Sequence, residues 1–300
     1  MFYVMLLVTG IKVKEIAVRK SSIAGSWYPG TGEEIKELVD NFLKNTELPE
    51  IGGRPVGIVS PHAGIQFSGQ AAAYGYKALE GMNINRVIIM GPSHYLPFRG
   101  VAVSGEDIYQ TPAGTVEVDR KITDELCKLP LFDGPGNAEM QEHSLEMQLP
   151  FLQVVLDDFK IVPLVVGDIS GSGYNDIAGV IKKYIDEKTL IVASSDFTHY
   201  GRRFGYVPFQ RDIKKNLEAL DLGAIDRIIE NDFDGYLKYL DKTGATICGA
   251  RPIGIMMKIF EEDADVVLLN YTTSGDILGD FTDSVSYASI LFSQRAEATA

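Results

Sequence analysis

Histidines are scarce in this chain, 4 in 300 residues, and each lies in a short motif that looks suited to chemistry. Three of the four follow apolar runs. Gly57-Ile58-Val59-Ser60 leads into Pro61-His62-Ala63-Gly64, Arg86 to Met90 leads into Gly91-Pro92-Ser93-His94, and the run from Leu190 to Phe197 leads into Thr198-His199. Ligands of open α/β sheets gather beyond the carboxyl ends of parallel strands. The spacing therefore predicts that His62, His94 and His199 converge on one crevice, an arrangement suited to a metal ion. Ala63 and Gly64 are small enough to let a substrate or another backbone approach.

Other side chains fall naturally around that crevice. Asp196 precedes His199 by three residues and could accept from a ring N–H of a histidine, fixing its tautomer, or cap a short helix. Glu142-His143-Ser144 sits where a helix should begin, with Ser144 as N-cap; His143 is expected either to point into the crevice or to sit in an exposed first turn. Cys248 lies in a tight loop, Thr246 to Pro252. There the helix N-terminus and Arg251 could lower its pKa and make it a nucleophile or soft ligand; the alternative is an inert buried thiol. Cys127, in an amphipathic helix, is assigned to packing. Ser93, Glu142 and Arg251 are the candidate substrate contacts, Arg251 as the receiver of an anionic group. Ser93, Ser194 and Ser195 lack the G-x-S-x-G elbow of a serine hydrolase, and neither G-x-G-x-x-G nor G-x-x-x-x-G-K-[ST] follows a strand.

Composition narrows the partners. Lys and Arg number 28 against 41 Asp and Glu, a net charge of −13. No basic stripe interrupts the acidity, so nucleic acid is not expected. The cysteines share no zinc-finger spacing. The apolar start, Met1 to Gly10, is too short to cross a bilayer and lacks a basic n-region; residues 1–15 are expected to form a leader or an edge strand. No other run has the length of a membrane helix, and a cytoplasmic protein is the expectation.

These motifs need a scaffold. Strands are predicted at 56–60, 86–90, 101–104, 108–109, 115–118, 160–166, 189–193, 266–271 and 284–290, with a hairpin around Thr111 to Gly114. Helices are predicted at 33–43 (capped by Thr31), 70–79, 120–128, 145–156, 174–185, 210–220, 224–230, 233–242 and 252–260. Such alternation implies an α/β fold: a central, largely parallel sheet flanked by helices on both faces. Without repeats or linkers, residues 16–295 read as a single domain.

Taken together, Ala24-Gly25-Ser26-Trp27-Tyr28, the two strand-end histidine motifs, Asp107 to Pro112, Glu142-His143-Ser144, Ser194 to His199 and Cys248-Gly249 with Pro252-Ile253-Gly254 closely resemble the Memo family, from about Val18 to Ser289. That resemblance implies the fold of the class III extradiol dioxygenases. Carried over by motif, it implies His62 and His94 as metal ligands and His199 as acid/base. Cys248 stands where the dioxygenases have a glutamate ligand. Asp196 and His143 would then assist catalysis. Two imidazoles and a thiolate are softer than the usual two-histidine, one-carboxylate set; iron or copper is favoured, with zinc possible. The family is known for mediating cell motility signalling, with phosphotyrosine-peptide binding and metal-dependent redox activity both proposed. Relatives in archaea and bacteria are associated with AMMECR1-like and radical-SAM proteins, which are the implied partners beside an unknown small molecule or peptide; self-association is open. The resemblance favours a metal-dependent redox enzyme. Its alternatives are a non-catalytic module binding an anionic ligand in the same cleft, and a zinc-assisted hydrolase.

Overall fold

The strand Thr189–Ser194 is buried along its whole length, and its side chains divide by parity. Leu190 and Val192 join one apolar cluster, Ile191 and Ala193 the other. Neighbouring Arg86–Pro92 divides in the same way, Val87 and Ile89 against Ile88 and Met90. Side chains alternate across a strand, so a strand apolar at both parities must be covered by helices on both faces.

A computed structural model describes residues 15–261 and 263–295. Its elements run β1 (Val18–Lys20), α1 (Gly32–Lys44), β2 (Arg54–Ser60), α2 (Ile65–Lys77), β3 (Arg86–Pro92), β4 (Val101–Val103), β5 (Ile108–Thr111), β6 (Gly114–Val118) and α3 (Arg120–Leu126). Next come α4 (His143–Glu146), α5 (Leu149–Val155), β7 (Lys160–Val166), α6 (Gly173–Ile181), β8 (Thr189–Ser194), β9 (His199–Gly201) and α7 (Ile213–Ile229). The chain continues through α8 (Phe233–Thr243), α9 (Ala250–Ile259), β10 (Ala264–Thr273), α10 (Ser274–Leu278) and β11 (Asp283–Gln294). Among the described residues the strands form one 11-stranded sheet, ordered β1-β5-β6-β7-β3-β8-β2-β11-β10, with β4 on β7 and β9 on β11. Its centre, β6-β7-β3-β8-β2, is parallel; antiparallel pairs flank it on both sides. The expected hairpin is present, closed by Thr111 opposite Gly114. No helix of the described residues is long and apolar enough to cross a membrane.

Several expectations are corrected. Helix α2 begins at Ile65 rather than Gln70, because the buried face already includes Ile65 and Ser68 and the Ile65 N–H is taken by the Trp27 carbonyl. The segment expected as one helix over 145–156 is two, with Pro150 in the first turn of the second, where its missing N–H costs nothing. Conversely, the two helices expected at 210–220 and 224–230 are the single α7. Gly223 does not break it; a Cβ there would stand 2.3 Å from the Tyr239 hydroxyl, so the glycine serves close packing against α8. Glu142, not Ser144, caps α4, accepting from the Ser144 N–H. Cys127 follows the end of α3 and is exposed, not packed. The short β1, β9 and α10 lack any periodicity that announces them, and most of the proposed leader lies outside the described residues.

The layered core makes a direct prediction. Ile191 is 0 % exposed at the sheet centre and Ile277 is 47 % exposed on α10. In urea unfolding, Ile191→Ala should cost about 2–5 kcal/mol and Ile277→Ala no more than about 0.5 kcal/mol.

Candidate metal centre

Strands β3, β8 and β2 are side by side and parallel, so the loops leaving them meet. The loop after β2 carries His62, the loop after β3 carries His94, and between them the end of β8 supplies Ser194 and Asp196. Helix α4 closes over the end of β3. A Cβ at Gly91 would lie 2.3 Å from the Ser144 hydroxyl, so only glycine lets α4 come this near. That approach brings His143 beside the other two rings. His94 and His143 stack with centroids 4.5 Å apart, and His62 meets them edge-on at 5.2 and 5.4 Å.

His62, His94 and His143 present ligand atoms within 4.8 Å of one another, and His62, Asp196 and Cys248 form a second such group. His62 is common to both. Cys248 thus adjoins His62, its sulfur 3.1 Å from Nε2, while His143, expected on the catalytic side, stands with the two strand-end imidazoles.

The hydrogen bonds behind the rings fix their tautomers. The Ser194 hydroxyl donates to the Ser144 carbonyl (2.7 Å) and accepts from Gln148 Nε2 (2.8 Å). Its proton is therefore committed, and the 2.8 Å contact with His62 Nδ1 has the ring donating. Gln148 is itself oriented, since Tyr76 donates to its Oε1 (2.6 Å) and its Nε2 also donates to the Pro61 carbonyl (3.0 Å). Glu142 receives the backbone N–H of His94 and lies 2.8 Å from its Nδ1. An ionised carboxylate only accepts, so His94 too carries its proton on Nδ1. Nε2 is thus the lone-pair nitrogen of both rings, and in His62 it faces the Cys248 sulfur.

The charges agree with this. Burial pushes Glu142 up, but the hydrogen bonds and charge of His94 outweigh it and hold the carboxyl at about 2. Burial and the neighbouring rings drive His62 well below the ordinary histidine value, and the same causes bring His143 down to about 4. Neutral imidazole is the ligating form.

The remaining candidates fall as follows. Asp196 accepts from the N–H groups of His62 and Ala63 at 2.8 and 3.2 Å, holding the His62 turn; no hydrogen bond joins it to the His199 ring. His199 opens β9, its N–H and carbonyl both bonded to the Thr246 hydroxyl at 2.9 Å. Its Nε2 is buried without a partner among the described residues, and burial lowers its pKa against the pull of Asp196. The Cys248 thiol is pushed up rather than down, by burial and then by Asp196. The expected help from Arg251 is missing because its guanidinium pairs instead with Asp168, 2.6 Å away in an exposed ion pair. Ser93, His94, Cys248, Asp168 and Arg251 line one cavity of about 330 Å³. The Ser93 hydroxyl donates to the Leu96 carbonyl at 2.7 Å. Glu142 is fully buried and engaged with His94 and Ser144, which makes it a support of the ring instead of a substrate contact.

A family model described as Memo-like protein matches residues 19–291. The chain belongs to the Memo family. The match spans every candidate residue from His62 to Cys248. The chain is 34% identical over 288 residues to Protein MEMO1 of Danio rerio, covering 90% of this chain and 95% of that one. It is equally similar, at 34% over 288 residues, to Protein MEMO1 of Homo sapiens (91% and 96% covered). A MEMO1 family protein of Thermoplasma volcanium matches at 34% over 279 residues, covering 91% of this chain and 98% of the relative.

The residues of this Memo-family site fit a metal ion. Neutral imidazoles suit iron, copper and zinc, and an adjacent thiol and carboxylate add soft and hard donors. Sequence reasoning passed over Gln148 and Tyr76, which set the His62 tautomer. Gln148 left no distinct signal, because Glu146 and Gln153 also interrupt the apolar run Leu145 to Leu156.

Because His143 titrates at about 4 when folded and near 6.5 when free, the unfolded chain binds more protons between these values, and stability must fall as pH drops through that window. Urea unfolding of chelated protein from pH 7 to 4 should show this slope, and His143→Phe should reduce it, the part owed to His62 and His199 remaining.

Proposed function

We propose that this Memo-family chain is a metal-dependent oxidoreductase that uses iron or copper to act on a small molecule. The observation carrying the reading is that His62, with its tautomer fixed, is shared by two groups of ligating side chains. His62 and His94 would hold the ion through Nε2, with Cys248 as a soft donor and His143 or Asp196 completing the set. When bound, such an ion supplies one-electron redox chemistry that the side chains lack.

The chain's own residues do the rest. His199, half-buried and neutral with an Nε2 unpartnered among the described residues, is the base that takes a proton from a substrate hydroxyl or thiol. Its position is held by Thr246, whose loop also carries Cys248. Asp196 keeps the His62 turn in place. The cavity beside His94 and Cys248 receives the substrate, with the apolar Leu96 and Phe98 on its wall and Arg251 at an exposed position to meet an anionic group. That last feature supports a second reading, a module binding a phosphotyrosine-like anion without turnover.

The test is oxygen uptake by protein loaded with Fe(II), copper or Zn(II), screened against catechols and thiols. The proposal expects uptake with iron or copper and none with zinc. His199→Ala should slow it by about 10²–10⁴-fold with metal content unchanged. No uptake with any metal, together with phosphotyrosine-peptide binding that survives chelation, would favour the binding module. Ester hydrolysis by the zinc form alone would favour a hydrolase.

A further inference from the structure

We propose that Arg19, on the outer strand β1, is a positioning residue for the metal centre, clamping the 139–146 turn so that Glu142 can hold His94. This rests on the metal-site reading above. Strand β1 ends the sheet, with β5, β6 and β7 between it and β3. Arg19 is nevertheless only 6 % exposed. Its guanidinium lies 5.0 Å from the centre of the Tyr109 ring and reaches into the turn with three donors. Nε donates to the Glu139 carbonyl at 2.9 Å, Nη2 to the Glu142 carbonyl at 2.7 Å and Nη1 to Glu146 Oε2 at 2.8 Å.

Two of these three bonds go to backbone carbonyls, one of them on the residue that grips His94. The Glu142 side chain then takes the His94 N–H and ring Nδ1, both at 2.8 Å, and His143 is the next residue along. Glu146, the charged partner, is fully buried and already accepts from Tyr28 (2.8 Å) and the Ser22 N–H (3.0 Å). A buried ion pair seldom adds net stability over an apolar replacement, so pairing alone gives little reason for an arginine here. The flat fork of donors supplies one: it spans two carbonyls and a carboxylate at once, which a lysine ammonium on its flexible stem does not.

The test reads the His94 ring directly, by ¹⁵N imidazole NMR of chelated protein, and separately by Co(II) titration. The parent should show His94 as a single Nδ1–H tautomer. Arg19→Lys should show mixed tautomers and bind Co(II) about 10–100-fold more weakly, the usual range for losing an outer-shell partner. Ile225→Val, a core change on α7 across the sheet, controls for lost stability and should leave the His94 signals unchanged. Glu146→Gln removes the ion pair but keeps Arg19 and its carbonyl contacts, so it should retain the parent's His94 signals. It keeps the proposal open to refutation even if no Arg19 variant folds, because disturbed His94 signals here would place the hold in the ion pair instead of the carbonyl contacts. Unchanged His94 signals in Arg19→Lys would overturn the proposal, as would equal disturbance in Ile225→Val or Glu146→Gln. A parent that binds no Co(II) would sink the metal reading while the tautomer result still decided the clamp.

Discussion

A ring nitrogen can offer its lone pair to a cation only when the ring's proton is held on the other nitrogen. In this chain that proton is placed by two acceptors, Ser194 for His62 and Glu142 for His94. Each acceptor is in turn held by groups that leave it no alternative. Ser194 has given its own proton to Ser144 and is braced by Gln148. Glu142 is buried, ionised and tied to the backbone of His94 and Ser144. An unpaired buried polar group costs roughly 1–3 kcal/mol, so these networks have little freedom to rearrange.

The fold's contribution is adjacency. Because β3, β8 and β2 run parallel side by side, three loops separated widely in sequence leave the sheet at one edge. The two helical layers bury most of β7, β3, β8 and β2 on both faces, which keeps those loop origins rigid. Close approach does the remainder: Gly91 admits α4 with His143, and Gly249, whose Cβ would stand 2.3 Å from that of Ser195, lets the Cys248 loop settle against β8.

Much of this was legible in the sequence, and the parts that were not share a cause. Buried strands announce themselves as apolar runs, so β2, β3, β7 and β8, with the histidines that follow them, were readable. Helix α1 was readable from its cap and its repeating apolar face. What could not be read was pairing at a distance. Glu142, beside His143 in sequence, was read as a candidate substrate contact; the fold sets it against His94. Arg251 looked like a neighbour of the thiol, yet its guanidinium turns to Asp168. Short elements such as β9 exist only because β11 is there to receive them. The gap expected between helices at 210–220 and 224–230 takes in Gly223, a residue of low helix propensity, whereas its place inside α7 is set by Tyr239 on α8.

The central claim is that these imidazoles hold a metal ion. Its most direct test is the metal content per chain of protein purified anaerobically without chelator, parent against His62→Ala. The account predicts close to one iron or copper ion per parent chain and almost none in the variant, since His62 belongs to both ligand groups. A parent that carries no metal and takes up neither Fe(II), copper nor Zn(II), or a variant that holds as much as the parent, would contradict it.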